Sequence, residues 1–247
     1  MAVPVKSRVW QNILITTAAV LVLAGIGVGG WFGYGKYKQS HFPLGLIALW
    51  SGEDNTNDSV GKHNAEYAYH VEYVPGKVGK AFSFNGTDAS VDLGNWFDLQ
   101  VFSISLWVKP SASQTAYANI MDDYGTGEEG WNLQYDNQGM EFHLGLVEGG
   151  PGLGSLGHVI IFSLAADTWQ HLMLTRDANN NSSLYLNGNL VGTIAGARPI
   201  NYTANKYLRL GRWGGGGRFF NGQMDEIQIY NRALSAAEVQ AIYTTSK

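Results

Sequence analysis

The amino-acid sequence predicts an all-β domain of antiparallel strands carried behind one membrane-spanning helix. Three observations predict it. Asn85-Gly86 and Asn187-Gly188 each lie between alternating apolar runs, the pattern of a two-residue hairpin whose central positions take positive φ. The chain holds 32 glycines and only 15% charged residues, which suits many tight turns between short strands. Finally, no charged residue occurs from Val9 to Gly35, a run long enough to cross a hydrocarbon core of roughly 30 Å as a helix.

At 247 residues the chain has room for one all-β domain of ordinary size and a short extra segment. It has no cysteine, so no disulfide staples it, and a sandwich of roughly 200 residues buries enough apolar surface to stand without one. The formal net charge of −4 argues against a nucleic-acid partner, which requires a basic face.

Along the chain, residues 1–12 form a short amino-terminal tail, 13–35 a transmembrane helix, 36–45 a juxtamembrane linker and 46–247 the β domain. Lys6 and Arg8 precede the apolar run, and Lys36 and Lys38 follow it. Trp10 at one end and Trp31, Phe32, Tyr34 and Tyr37 at the other suit the two membrane interfaces. The run exceeds an ordinary signal-peptide core and no A-x-A site follows it, which favours an uncleaved signal anchor held among membrane lipids. Within it Gly25, Gly29 and Gly33 fall four apart and stack on one helix face, leaving a groove where a partner helix can approach closely. Basic residues flank both ends almost equally, so charge alone leaves the orientation open.

Leu46 to Trp50 is an apolar strand, followed by S-G-E-D-N-T-N-D-S-V-G, a loop dense in oxygen-bearing side chains. Such a loop suits a hard cation, but Asp, Asn and Ser also fill loops by hydrogen-bonding their own backbone. In Phe102 to Lys109, Phe102, Ile104, Leu106 and Val108 share one face, and Ser103, Ser105, Trp107 and Lys109 the other. Likewise Phe142 and Leu144 face the core, and Glu141 and His143 face out. Near the carboxyl end, alternation puts Asp225 in phase with Ile227 and Ile229. A core-facing carboxylate requires a cation, an arginine or backbone N–H groups against it. Ser235 and Glu238 stand at capping-box spacing, which starts a helix at Ala236.

The stretch N-G-Q-M-D-E-I-Q-I-Y-N-R-A-L-S, from Asn221 to Ser235, resembles the last strand of the laminin G-like, concanavalin A-like jelly rolls. Ala81 to Leu93, Phe102 to Pro110 and Trp169 to Gly192 resemble the same family in the same order, so the resemblance covers most of the chain from about Leu46 onward. It implies a two-sheet antiparallel jelly-roll sandwich working outside the cytoplasm. The amino terminus is then cytoplasmic and the carboxyl domain periplasmic or extracellular. The family also implies a structural calcium ion between the first loops and the last strand, for which Asp54, Asn57, Asp58 and Asp225 are the candidates.

If the strands of Trp107 and of Glu141 and His143 share one sheet, these residues, with Gln134, line a polar and aromatic groove suited to a sugar ring. The alternative for Trp107 is burial under a neighbouring loop. Trp96 and Trp213, in or beside loops, are candidates for contact with a partner protein. The glycine loops Gly149 to Gly154 and Gly214 to Gly217 lack the lysine and the strand-to-helix setting of a phosphate loop, and read as mobile rims.

No catalytic residue is predicted. Glycosidases of this fold carry E-x-D-x-x-E on one strand, which is absent, and nothing supports zinc or nucleophilic chemistry. Two functions remain. One is an accessory subunit whose helix packs against other transmembrane subunits of a larger complex while its exported domain binds neighbouring subunits. The other is a membrane-tethered adhesion or carbohydrate-binding module with a polysaccharide partner.

Overall fold

A computed structural model describes residues 42–124, 130–135, 141–147, 158–196, 199–200, 202 and 207–245. The membrane run, with Gly25, Gly29 and Gly33, lies outside them. Among the described residues no helix is long and apolar enough to cross a membrane.

The unit Pro43–Lys247 is a sandwich of two antiparallel sheets. In chain order the strands are β1 (Leu46–Trp50), β2 (Tyr67–Tyr69), β3 (Glu72–Pro75), β4 (Lys80–Asn85), β5 (Ser90–Asp92), β6 (Phe102–Pro110), β7 (Asn119–Tyr124) and β8 (Gly130–Tyr135). Then follow β9 (Glu141–Val147), β10 (His158–Ser163), β11 (Gln170–Arg176), β12 (Ser182–Leu186), β13 (Asn189–Ile194), β14 (Arg209–Leu210) and β15 (Asn221–Tyr230), with a final helix α1 (Ala236–Thr245). The first sheet runs β13-β12-β11-β6-β15-β4-β3, and the second β10-β9-β8-β7-β14-β5-β2. Strand β1 pairs with Ile227 to Tyr230 of β15, whereas β4 pairs with Asn221 to Met224.

Between the sheets the core takes Phe102, Ile104, Leu106 and Val108 from β6, as alternation predicts, against Trp131, Leu133, Met121 and Leu210 of the second sheet. The opposite face of β6 is buried as well, because α1 packs over the outer side of the first sheet. Leu234, Val239 and Ile242 close a second apolar cluster there with Met173, Tyr185 and Tyr230. Helix α1 begins at the expected residue: Ser235 N–H donates to Glu238 Oε2 at 2.9 Å, and Glu238 N–H returns toward Ser235 Oγ at 3.4 Å. The hydrogen-bonded Arg232 guanidinium, reinforced by the Ser235 N–H, lowers the Glu238 carboxyl to about 2.

Two local expectations are corrected. Asn187 and Gly188 take φ of 51° and 79° and join β12 to β13 as a hairpin, but Asn85-Gly86 is no hairpin, since β4 and β5 belong to different sheets. There Asn85 Oδ1 accepts from the N–H groups of Thr87, Asp88 and Ala89, and so turns the chain from one layer to the other. In β15 the pairing with β6 shifts between Asp225 and Gln228, where Glu226 takes a φ of 50°. This bulge breaks the alternation. Met224 and Ile227 join the core, while Asp225 lies opposite Trp107 on the outer side.

Candidate functional site

The outer face of the first sheet is filled by its own protein. Trp107 is 3% exposed, its ring centroid 5.2 Å from that of His171 and 5.9 Å from that of Tyr243 on α1, with Lys77 Nζ 4.4 Å over the ring. Asp225 beside it accepts the Val78 N–H on Oδ2 at 2.8 Å, one of the partners its burial demands.

The predicted groove therefore does not form. Trp107 stands in the first sheet and Glu141 and His143 on β9 of the second. The period of two states which residues share a face, but not which strands share a sheet. The side chains of Glu141 and His143 lie outside the described ones.

Nor do the calcium candidates converge. The Asp58 carboxylate accepts four backbone N–H groups: Leu49, Val60 and Gly61 on Oδ1 at 2.9 Å each, and His63 on Oδ2 at 3.0 Å. Asp54 is bound by Lys80 Nζ at 2.7 Å, and Asn57 is exposed with its N–H on Asn55 Oδ1. Among the described residues no group of three or more His, Cys, Asp or Glu gathers as a metal site. An oxygen ringed by N–H donors has its lone pairs engaged and presents positive edges to a cation, so Asp58 does not fit Ca²⁺. Chelation with EDTA is expected to leave the thermal midpoint unchanged; a fall of several degrees would restore a structural cation.

The outer face of the second sheet is buried as well, but with polar and charged side chains: Asp92 and Arg209 are 7% exposed, Asn132 3% and Asp122 0%. Cross-strand pairing lines up Tyr67, Asp92, Arg209, Asp122 and Asn132 across β2, β5, β14, β7 and β8, and residues paired in register point to the same side. Arg209 lies 3.4 Å from both Asp92 Oδ1 and Asp122 Oδ1. Arg212, in the loop after β14, donates to both oxygens of Asp92 at 3.1 and 3.0 Å. Beyond them Asn132 Nδ2 donates to Gln134 Oε1 at 3.3 Å.

Among the described residues, Asn132 Oδ1 and Arg212 Nε are buried with no hydrogen-bond partner. At the sheet edge Tyr67 and Tyr69 stack with centroids 6.1 Å apart, and they are 57% and 49% exposed. The row is nearly closed laterally but opens toward this edge, where Arg212 keeps 23% of its side chain exposed. Among the described residues the row and its bordering loop pair two carboxylates, Asp92 and Asp122, with two guanidinium groups, Arg209 and Arg212.

The loop between β14 and β15 borders this face and holds Trp213, half-buried under Arg218 at 4.2 Å from guanidinium carbon to ring centroid. Its glycines are not loose: Gly216 N–H donates to Trp213 O at 3.0 Å and Trp213 N–H to Gly217 O at 3.3 Å. Trp96, the other predicted partner contact, is instead part of the core wall. It stacks on His63 at 3.6 Å, and its Nε1 donates to Leu93 O at 2.8 Å.

Sequence reasoning passed over Tyr67, Asp92, Arg209 and Arg212. The alternation in S-V-D and R-L already puts Asp92 and Arg209 out of phase with the core residues Val91 and Leu210, and an exposed Y-A-Y strand was a further signal.

Residues 85–240 match the laminin G-type family described as the concanavalin A-like lectin/glucanases superfamily. No curated protein matches the chain. Among solved structures, domain 4 of AbnA, an extracellular GH43 arabinanase from Geobacillus stearothermophilus in complex with arabinotriose, aligns with a TM-score of 0.64 at 23% identity, over 80% of this chain and 98% of that one. The binding domain of botulinum neurotoxin DC in complex with SialylT aligns at 0.65 and 18% identity, over 83% and 52%. The binding domain of Paraclostridial Mosquitocidal Protein 1 aligns at 0.63 and 18%, over 81% and 52%. The chain thus spans about half the length of the two toxin binding domains, and likeness at these identities establishes the fold alone.

Proposed function

Because the chain belongs to the concanavalin A-like lectin/glucanases superfamily, we propose that its sandwich is a non-catalytic carbohydrate-binding module, held at a membrane by the apolar run ahead of it. The observation that carries this reading is the polar row Tyr67–Asp92–Arg209–Asp122–Asn132, which ends at an exposed, stacked tyrosine pair with Arg212, its Nε unengaged, bonded to the neighbouring Asp92. Sugar hydroxyls both donate and accept, and so match a row of carboxylate, guanidinium and amide groups. Sugar ring faces match exposed aromatic rings. Glycoside hydrolysis needs two carboxyl groups facing each other across the bond to be cut. Here Arg209 stands between Asp92 and Asp122 and engages both, which suits holding a ligand better than cleaving one.

Neighbours of this fold are described with arabinotriose and with SialylT, which sets the first ligands to try. The detergent-solubilised full-length chain is expected to be retarded in native gels cast with arabinan or another plant or bacterial polysaccharide. Asp92→Asn, which releases Arg209 and Arg212, is expected to abolish the retardation. Unchanged mobility in every gel would sink the reading. Comigration with other membrane proteins, lost on Gly29→Leu, would then favour the rival role of a subunit packed through Gly25, Gly29 and Gly33.

A further inference from the structure

We propose that Arg218, set against the rings of Trp213 and Tyr117 in the loop that also carries Arg212, anchors the carboxylate of an acidic sugar. This rests on the carbohydrate-binding reading and names the ligand class.

The guanidinium carbon lies 4.2 Å from the Trp213 ring centroid and 5.0 Å from that of Tyr117. Both rings lie within cation–π reach, an attraction that uses none of the guanidinium's N–H donors. Among the described residues no hydrogen bond or ion pair takes up those donors. Arg209 and Arg212, by contrast, each have a carboxylate. Arg218, in the same loop as Arg212, has no carboxylate partner among the described residues.

The clamp is also held in an unusual backbone conformation. Arg218 and Tyr117 take φ of 52° and 61°, which side-chain-bearing residues rarely adopt. Strain of this kind persists only where the surroundings over-determine it, and it gathers at ligand clamps. Here the start of β7 and the loop before it provide the constraint: Asn119 N–H donates to Arg218 O at 2.8 Å, and Thr115 Oγ1 donates to Phe219 O at 3.0 Å.

The glycines that precede Arg218 keep the approach clear. A Cβ at Gly216 or Gly217 would meet nothing within 4 Å, whereas one at Gly215 would strike the Trp213 ring at 2.1 Å. The same loop carries Arg212 to Asp92, so the row's exposed end and Arg218 are linked by one short loop. A planar fork with free N–H donors pairs bidentately with a carboxylate, and an acidic sugar joins that carboxylate to the hydroxyls the row accepts.

Calorimetry on the detergent-solubilised full-length chain tests this with two matched pairs of probes. One is trigalacturonate against the same trisaccharide after carboxyl reduction, and the other is sialyllactose against lactose. In at least one pair the acidic member is expected to bind about tenfold more tightly or better. Arg218→Gln should erase that preference while leaving the affinity for the neutral member unchanged, which also certifies the fold. Arg218→Lys should restore only part of the preference, because a point charge lacks the fork.

Equal affinity within both pairs, or a preference that survives Arg218→Gln, overturns the anchor and leaves the carbohydrate reading standing. No binding of any of the four overturns the anchor, and with an absence of retardation in the polysaccharide gels it overturns the carbohydrate reading too. Polyglutamate binding as tightly as the acidic sugars would reassign the clamp to an acidic peptide.

Discussion

Asp58→Ala is expected to destabilise the sandwich by about 3–5 kcal/mol, among the largest losses a single substitution outside the apolar core should cause. The carboxylate is 8% exposed and gathers the N–H groups of Leu49, Val60, Gly61 and His63. Through Leu49 it ties the loop after β1 to β1 itself. Deleting it leaves four N–H donors to find other acceptors, and each one buried without a partner costs roughly 1–3 kcal/mol. Gly61 offers no room for repair, since even a Cβ there would meet Ile47 O at 2.2 Å. Asp58→Asn keeps one carbonyl oxygen for the three donors on Oδ1 but turns an NH₂ toward the fourth, so it should recover part of the loss. Urea titrations of the three proteins decide the matter: an alanine variant within about 1 kcal/mol of the wild type would show that water replaces the carboxylate.

Between pH 6.5 and pH 4 the sandwich is expected to lose stability on the order of 3 kcal/mol through His171 alone. The imidazole is 1% exposed under α1, and burial lowers it from 6.5 to about 4. Its Nε2 lies 2.7 Å from Ser105 Oγ, while Nδ1 is buried with no hydrogen-bond partner.

The folded value lies below the unfolded one, so above pH 6.5 both states hold the neutral ring and no difference arises. As the pH falls from 6.5 toward 4 the unfolded chain takes up a proton that the folded chain refuses, and stability drains away until the folded ring protonates as well. Carboxylates titrate over the lower part of this window. The measurement is therefore the difference in pH dependence between the wild type and His171→Gln, whose amide can still meet Ser105. Stability curves that run parallel from pH 7 to pH 4 would mean that the ring is protonated in place.

Much of the architecture was legible because it depends on short-range rules. The faces of β6, the hairpin at Asn187-Gly188 and the start of α1 at Ala236 follow from a period of two, a positive-φ dipeptide and a cap three residues from its partner. Each is settled within a few residues of chain. The reading of Asp225 failed because one residue, Glu226, in a left-handed conformation offsets the register, and nothing in D-E-I-Q-I announces the bulge. Asn85-Gly86 looks like Asn187-Gly188 in sequence, but the strands it joins go to opposite layers. For Asp58 the sequence showed an oxygen-rich loop, and only the path of the chain from residue 58 to 63 decided that backbone N–H groups, not a cation, would surround it.

The candidate site was the least legible part. Trp107 lies on the predicted face of β6, and Glu141 and His143 on a strand as expected, yet these strands stand in different sheets. The residues that do gather, Asp92, Arg209, Asp122 and Asn132, come from segments up to more than a hundred positions apart and lie beside one another only because β5, β14, β7 and β8 are neighbours. Taken by itself, the amino-acid order determined the elements of this protein: strands of known polarity, a capped final helix, and an uncharged amino-terminal run. Tertiary structure alone decided which strands became neighbours, and with them the outer face on which carboxylates and guanidinium groups pair. Periodicity is a property of a few adjacent dihedral angles, whereas strand adjacency is chosen by the burial of the whole core.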